Sequence, residues 1–188
     1  PDKDHMEGLI GVLEKYRIEN LLLTGIVDDS KLYNEFWQKA EEENCEIWLA
    51  ESKQDFIFGE VVFDVIYPFK NLAGESFKNT NDTSIVLKIH ERERSILLTG
   101  DLEKKGEDLL IRSGVDLKTN IFKAGHHGSK TSSSKSFLKK VRPEIVVISA
   151  GKNNSYGHPH MDVMQNLAEL GITKIYRTDL EGRISFNR

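Results

Sequence analysis

The first clear period in the chain is "MEGLIGVLEKY", residues 6–16, where Leu9, Ile10, Val12, Leu13 and Tyr16 recur at helical spacing. This stripe predicts a helix beginning just after Asp4 and His5. "ENLLLTG" then reads as a short buried strand. "DDSKLYNEFWQKAEEEN" returns to the helical period, with Leu32, Phe36, Trp37 and Ala40 inward and Asp or Ser as the cap. "EIWLAES", "DFIF" and "EVVFDVIYP" are strand-like, and Gly59-Glu60 suits a hairpin turn between the last two. Residues 68–82, "FKNLAGESFKNTNDT", form a polar loop of a length that usually carries function or mobility.

Further on, "TSIVLKI" and "SILLTG" are expected to pair across the charged turn "HERER". A helix over "EKKGEDLLIRSG", a strand over "TNIFKAG", a helix near "KSFLKKV" and a strand over "EIVVISA" follow. The loop "GKNNSYGHPH", the helix "MDVMQNLAELG" and the strands "KIYRTD" and "RISF" close the chain. Hairpins come early, and single strands between helices come late. The chain therefore reads as one mixed α/β domain over residues 1–188, with functional loops at strand ends.

Composition changes this picture little. At 188 residues and 38% hydrophobic, the chain can bury one sizeable core. No apolar run approaches the roughly eighteen residues that span a bilayer, and no signal-peptide pattern is present. The single cysteine, Cys45, has no partner for a disulfide or a thiolate metal site and is expected to be a buried, inert thiol. A net charge of −4 gives no global attraction to nucleic acid, but the charge is unevenly placed. Lys118 to Lys152 holds eight basic residues against Glu144 alone, whereas Asp28 to Asp55 holds nine acids against three lysines. The basic stretch contains the pair His126-His127, which would place positive potential beside those imidazoles.

The polar clusters fall at element boundaries. Asp4 and His5 stand at a helix entrance; Asn79, Asn81 and Asp82 precede a strand; Asp101 ends "SILLTG"; His126 and His127 end "TNIFKAG"; His158 follows "EIVVISA". Carboxylates and imidazoles converging from several strand ends suit Zn²⁺, Mn²⁺ or Fe²⁺. Each has a plainer alternative: Asp101 also suits a helix cap, His5 a surface position, and His158 a structural hydrogen bond. Ser129, Thr131 and the run Ser132–Ser134 suit the capping of the next helix, or, with Lys130, the reception of a phosphate. His90 and His160 read as surface or capping residues.

"DKDHMEGL", "NDTSIVL", "LLTGD", "AGHHGSKTS" and "NSYGHP", in this order, resemble the metallo-β-lactamase superfamily, and within it the hydrolase domain of ComEC-like competence proteins, which serve DNA uptake. The resemblance covers essentially the whole chain. It implies an αββα sandwich, here lacking its first strands, with one or two divalent ions, Zn²⁺ or Mn²⁺, at a sheet edge. It puts the family's third and fourth metal positions at Asp4 and His5, its second histidine at Asp2, its downstream aspartate at Asp101 and its late histidine at His126 or His127. Asn81, with Asp82 beside it, stands where the superfamily has a middle histidine, so these two are expected to touch metal or position water. The other of His126 and His127, or His158, is expected to serve as a proton donor, and Ser129, Lys130 and Thr131 as phosphate contacts.

The family's first histidine would stand before Pro1, so the chain reads as a fragment that begins inside its first metal motif. An uncovered sheet face is then expected to recruit a second copy. The activity implied is metal-dependent hydrolysis of a phosphodiester in a nucleic-acid strand, expected to be DNA, in a parent protein with a membrane channel portion. Two other readings stand beside it: a hydrolase of a small phosphate ester or lactone, and a catalytically impaired domain that binds nucleic acid or serves channel assembly.

Overall fold

Ser30 starts the second helix of the chain: its hydroxyl accepts the Tyr33 amide at 3.2 Å, and Asn44 ends the helix in the left-handed conformation. In a computed structural model that describes residues 1–186, this helix, α2 (Lys31–Glu43), lies against α1 (Lys3–Leu13). Phe36 and Ala40 meet Met6, Ile10 and Leu13, with Leu21 and Leu23 packed on the same cluster. The strands β1 (Asn20–Leu23) and β2 (Glu46–Leu49) flank α2 and pair in parallel, as a helical crossover requires.

A seven-stranded sheet makes up the rest, its strands in sequence order from β3 to β9. β3 (Gln54–Phe58), β4 (Val61–Tyr67), β5 (Val86–Glu91) and β6 (Arg94–Leu98) are antiparallel neighbours, with the expected turns at Gly59-Glu60 and within "HERER". β7 (Ile121–Lys123), β8 (Ile145–Ile148) and β9 (Lys174–Arg177) run parallel to β6. They are joined by α3 (Lys104–Ser113), α4 (Lys135–Val141) and α5 (Met161–Glu169), whose Leu110, Phe137, Leu138, Val141, Val163 and Leu167 close over Leu97, Phe122, Val146 and Ile148. Helices thus lie outside and two sheets between. The small sheet faces the large one through Trp48 stacked on Phe56, centroids 4.5 Å apart.

This topology fixes where chemistry can gather. Because β6, β7 and β8 are parallel, the segments after them emerge at one edge of the sheet: Asp101 after β6, His126-His127 after β7, and His158 after β8. The loop before β5 ends in a 3₁₀ turn, Thr80–Thr83.

Three expectations need correction. α1 begins at Lys3 rather than after His5, because the carbonyl of extended Asp2 accepts the amides of His5 and Met6 at 3.1 and 2.9 Å. Asp4 and His5 therefore belong to the first turn of the helix. The stretch "KIYRTD" leaves the sheet at Arg177, and "RISF" does not form a strand. Thr178–Glu181 instead makes one helical turn, α6, held by the Arg177 guanidinium on Asp179 and by the Glu181 carboxylate accepting the Arg177 amide at 2.9 Å.

Candidate metal centre

The centre is built on Asp101. Gly100 turns the chain after β6 with φ of +53°, a conformation that suits glycine, and a Cβ there would stand 3.0 Å from Ser84. That closeness lets the Ser84 hydroxyl accept the Asp101 amide at 3.0 Å. The Asp101 side chain is buried, and its Oδ1 has no hydrogen-bond partner. Its Oδ2 lies 3.1 Å from His5 Nε2 and 3.6 Å from His127 Nε2.

His126 and His127 both have positive φ, 48° and 55°, where non-glycine residues are uncommon. The turn is over-determined by its neighbours. The His126 amide donates to the Gly100 carbonyl at 3.1 Å, and its carbonyl accepts from Ser129 at 2.8 Å. Consecutive left-handed residues send the two rings apart. His127 Nε2 lies 3.3 Å from both His5 Nε2 and Asp4 Oδ2. His127 Nδ1 lies 2.8 Å from the Ser149 carbonyl; that oxygen can only accept, so Nδ1 carries the proton and Nε2 presents its lone pair.

Asp4, His5, Asp101 and His127 each contribute one ligand atom, all within 4.8 Å of one another. Tetrahedral coordination at ordinary Zn–N and Zn–O lengths separates neighbouring ligand atoms by about 3.4 Å. Four of the six separations here run from 3.1 to 3.6 Å, and all stay within 4.8 Å. Together with the orphaned buried Oδ1 of Asp101, this donor set fits a divalent cation. Within the group, burial works to raise Asp101, but the His5 hydrogen bond and the nearby His5, His127 and His126 rings hold its carboxyl below the usual range. His5 is raised, first by its bond to Asp101 and against its own burial.

His126 stands outside this foursome. Its Nε2 is 3.7 Å from Asp101 Oδ2, and its Nδ1 is 3.2 Å from the Thr131 hydroxyl and 3.7 Å from Glu103 Oε1. Glu103 carries no motif signal, yet it also accepts from Asn79 Nδ2 at 2.9 Å and Asn81 Nδ2 at 3.4 Å. It ties the loop before β5 to the histidine turn. Asp2 lines the same cleft and accepts from Thr80 Oγ1 at 3.4 Å without joining the four. Asp82 does not reach the centre: the 3₁₀ turn points its carboxylate 3.6 Å from Lys105 Nζ, and its Oδ1 is buried without a partner.

The cleft in front of the group holds about 330 Å³ and is lined by Lys78, Asn79, Thr80, Asn81, Tyr156 and His158 besides the centre's own side chains. His158 lies 5.8 Å from His126, ring to ring, and burial with the neighbouring His126 and His160 lowers its pKa. Lys123, at the end of β7, is half-buried; burial pushes its ammonium down, while Asp101 opposes. It escaped the sequence reading because it looked like one more member of a basic run.

That run does not follow one groove. Lys118 and Arg142 line a hollow shared with Asp64, His90, Asp116 and Glu144, and Lys135 pairs with Glu169. His90 there holds Asp64 at 3.0 Å. Lys130 is exposed, beside buried Ser129. The hydroxyls around it serve the fold: Ser129 Oγ meets Thr131 Oγ1 at 3.0 Å, Ser132 donates to the Leu102 carbonyl at 2.8 Å, and Ser134 caps α4. The carboxylate of buried Glu107 accepts the amides of Ser133 and Ser134. Cys45 is partly exposed rather than buried; its thiol donates to the Ile18 carbonyl at 3.3 Å, and burial raises its pKa.

The sequence model of the metallo-beta-lactamase superfamily matches residues 48–152, a span that contains Asp101, His126 and His127. Among curated proteins, the chain is 33% identical over 186 residues to ComE operon protein 3 of Bacillus subtilis (strain 168), covering 98% of this chain and 23% of that protein. It is 41% identical over 121 residues to competence protein ComA of Neisseria gonorrhoeae, covering 63% of this chain and 17% of that protein. It is 28% identical over 186 residues to recombination protein 2 of Haemophilus influenzae, covering 99% of this chain and 21% of that protein. The chain thus spans less than a quarter of the length of these relatives. With the family match extending over more than half of its residues, the chain belongs to the metallo-β-lactamase superfamily.

Proposed function

We propose that this chain is a metal-dependent phosphodiesterase that cleaves a nucleic-acid strand. The observation that carries the reading is the four-ligand group opening onto a cleft with polar walls and a free cation. Lys78 lines that cleft and has no ion pair among the described residues. One relative is named a competence protein and another a recombination protein, which with the resemblance to proteins of DNA uptake makes DNA the strand we propose.

Asp4, His5, Asp101 and His127 would hold one divalent ion, Zn²⁺ or Mn²⁺; the mixed oxygen and nitrogen set suits either. Such an ion polarises a phosphoryl oxygen and brings the pKa of water toward neutrality. Ser149 keeps His127 in the ligating tautomer, and Ser84 fixes the Asp101 backbone. His126 is the residue we assign to proton transfer: it faces Asp101 without belonging to the four, and Thr131 and Glu103 orient its Nδ1 edge. As a water oxygen bonds to phosphorus and releases its proton to solvent, the P–O bond to the leaving group breaks and His126 gives the departing oxygen its proton. His158 flanks it, and Asn81 lines the cleft. Lys78 and Lys130 would meet flanking phosphates, with Ser129 and Thr131 holding the Lys130 turn.

Among the described residues no helix is long and apolar enough to cross a membrane. We assign any channel portion to the rest of a longer parent.

The test is cleavage of a labelled DNA strand by the protein loaded with Mn²⁺ or Zn²⁺, with metal content measured in parallel. Wild type should bind metal and cleave; Asp101→Asn should lose both while still binding DNA, because its carboxylate serves the ion rather than the phosphates. Hydrolysis of a small ester or lactone without DNA cleavage would replace this reading, and DNA binding with neither activity would leave a binding module.

A further inference from the structure

Two aromatic rings that flank the histidine turn in sequence are closed to any ligand. Phe122 and Phe137 are fully buried, packed edge to face at 5.9 Å. Tyr156 is the opposite case: it is 73% exposed and lines the cleft. One face of its ring stacks on His158, with centroids 5.7 Å apart and planes 19° from parallel. His158 in turn lies 6.4 Å from His127 at 20°. Three rings, each within 20° of parallel to the next, therefore step from solvent to the candidate metal centre.

The fold holds this ladder in place. Asn154 accepts the His158 amide at 2.9 Å and donates from Nδ2 to the carbonyls of His158 and Gly151 at 2.8 and 2.9 Å. Tyr156 sits within the loop so clamped, and beyond His158 it has no ring contact or side-chain hydrogen bond among the described residues. An amphipathic ring with one face supported and the other bare is ordered before anything binds, which lowers the entropic cost of stacking on it.

We infer that the outer face of Tyr156 is a stacking platform for one unpaired base, setting the adjoining phosphate over the Asp4–His5–Asp101–His127 group. The inference rests on the phosphodiesterase reading and names its substrate class: single strands. Bases within a duplex have both faces covered by their neighbours and must be unstacked before they can reach the ring. Stacking of this kind tolerates any base, because every base has a π-face. Lys78, also in the cleft, supplies charge for a phosphate, and a small ester without a base would leave the platform unused.

The experiment compares wild type, Tyr156→Ala and Tyr156→Phe on a fluorescein-labelled oligothymidylate and on a strand of the same length made wholly abasic. Affinity is read by anisotropy with and without Mn²⁺, and cleavage at limiting substrate with Mn²⁺. Tyr156→Ala should bind and cleave the intact strand about tenfold more weakly, within the range that loss of one base–aromatic stack gives. It should match wild type on the abasic strand, whose phosphates are unchanged, and Tyr156→Phe should behave as wild type throughout. Equal affinity of Tyr156→Ala and wild type for the intact strand would overturn the platform, as would an equal loss on the abasic one. If the strand-dependent difference in binding is present but no divalent ion supports cleavage, the platform stands and the phosphodiesterase reading falls. If cleavage occurs and ignores Tyr156, the reverse holds.

Discussion

His127 Nδ1 lies 2.8 Å from the Ser149 carbonyl oxygen, and this one contact separates the roles of two adjacent histidines. It commits His127 Nε2 to the acidic group, whereas His126 keeps its Nδ1 on a hydroxyl, that of Thr131. His127→Ala should therefore abolish stoichiometric metal binding. His126→Ala should retain the metal and lose cleavage by about 100-fold, the lower end of what a positioned proton donor contributes. Elemental analysis of both proteins beside their turnover checks this; equal metal loss in the two would refute the division.

The lysines make a spatial prediction. Lys78→Gln and Lys130→Gln should weaken DNA binding across sequences, and each should reduce the salt slope of log K by about one. Lys118→Gln and Arg142→Gln, whose side chains line the separate hollow with Asp64 and Glu144, should leave the slope unchanged. Titrations at several salt concentrations distinguish the two sets.

Glu107 offers a stability test away from the cleft. Its buried carboxylate accepts two backbone amides of the serine loop, so Glu107→Ala should cost about 2–3 kcal/mol by leaving them unpaired. Burial also raises its pKa above the ordinary 4.5. A raised folded-state pKa gives stability that is fully present below the unfolded value and lost as pH rises through the folded one. The advantage of wild type over Glu107→Gln should accordingly be greatest in acid and shrink as pH increases. Chemical denaturation of both proteins across that range reads the trend directly.

Gly128 tests the turn itself. It has φ of +83°, and a Cβ would approach Pro159 Cβ at 2.8 Å and Pro159 Cα at 3.1 Å. Gly128→Ala should destabilise the protein by at least about 2 kcal/mol from backbone strain and the clash. It should also weaken metal binding, because the turn that aims His127 must shift. A thermal melt and a metal titration of the same variant give both readouts.

The sequence marks these positions unevenly, for physical reasons. The strand ends that carry Asp101 and the His126-His127 pair, and the hairpins, were legible because a strand's end and a two-residue turn are set by local residues; which histidine of the pair faces Asp4 and His5 was not. Asp82 was not separable from Asn81, since which neighbour faces the cleft depends on the phase of a four-residue 3₁₀ turn. Glu103 was silent: it gains meaning only when Asn79, Asn81 and His126 arrive from two other segments. The basic stretch misled because its residues are parcelled out among β7, α4 and the loops around β7, α4 and β8. Neighbours in the run therefore emerge at different parts of the surface.

The bond from the His126 amide to the Gly100 carbonyl, between the loops after β6 and β7, has a consequence for how the centre meets its ion. Asp101 and His127 each stand one residue beyond the two linked groups, so the ligands travel together when the sheet edge breathes. An arriving cation would find two of the four proposed donors already at fixed separation, with only α1, carrying Asp4 and His5, left to adjust. Metal uptake should then look like the docking of one helix against a rigid jaw, with amide exchange slowing in residues 3–13 far more than around the histidine turn.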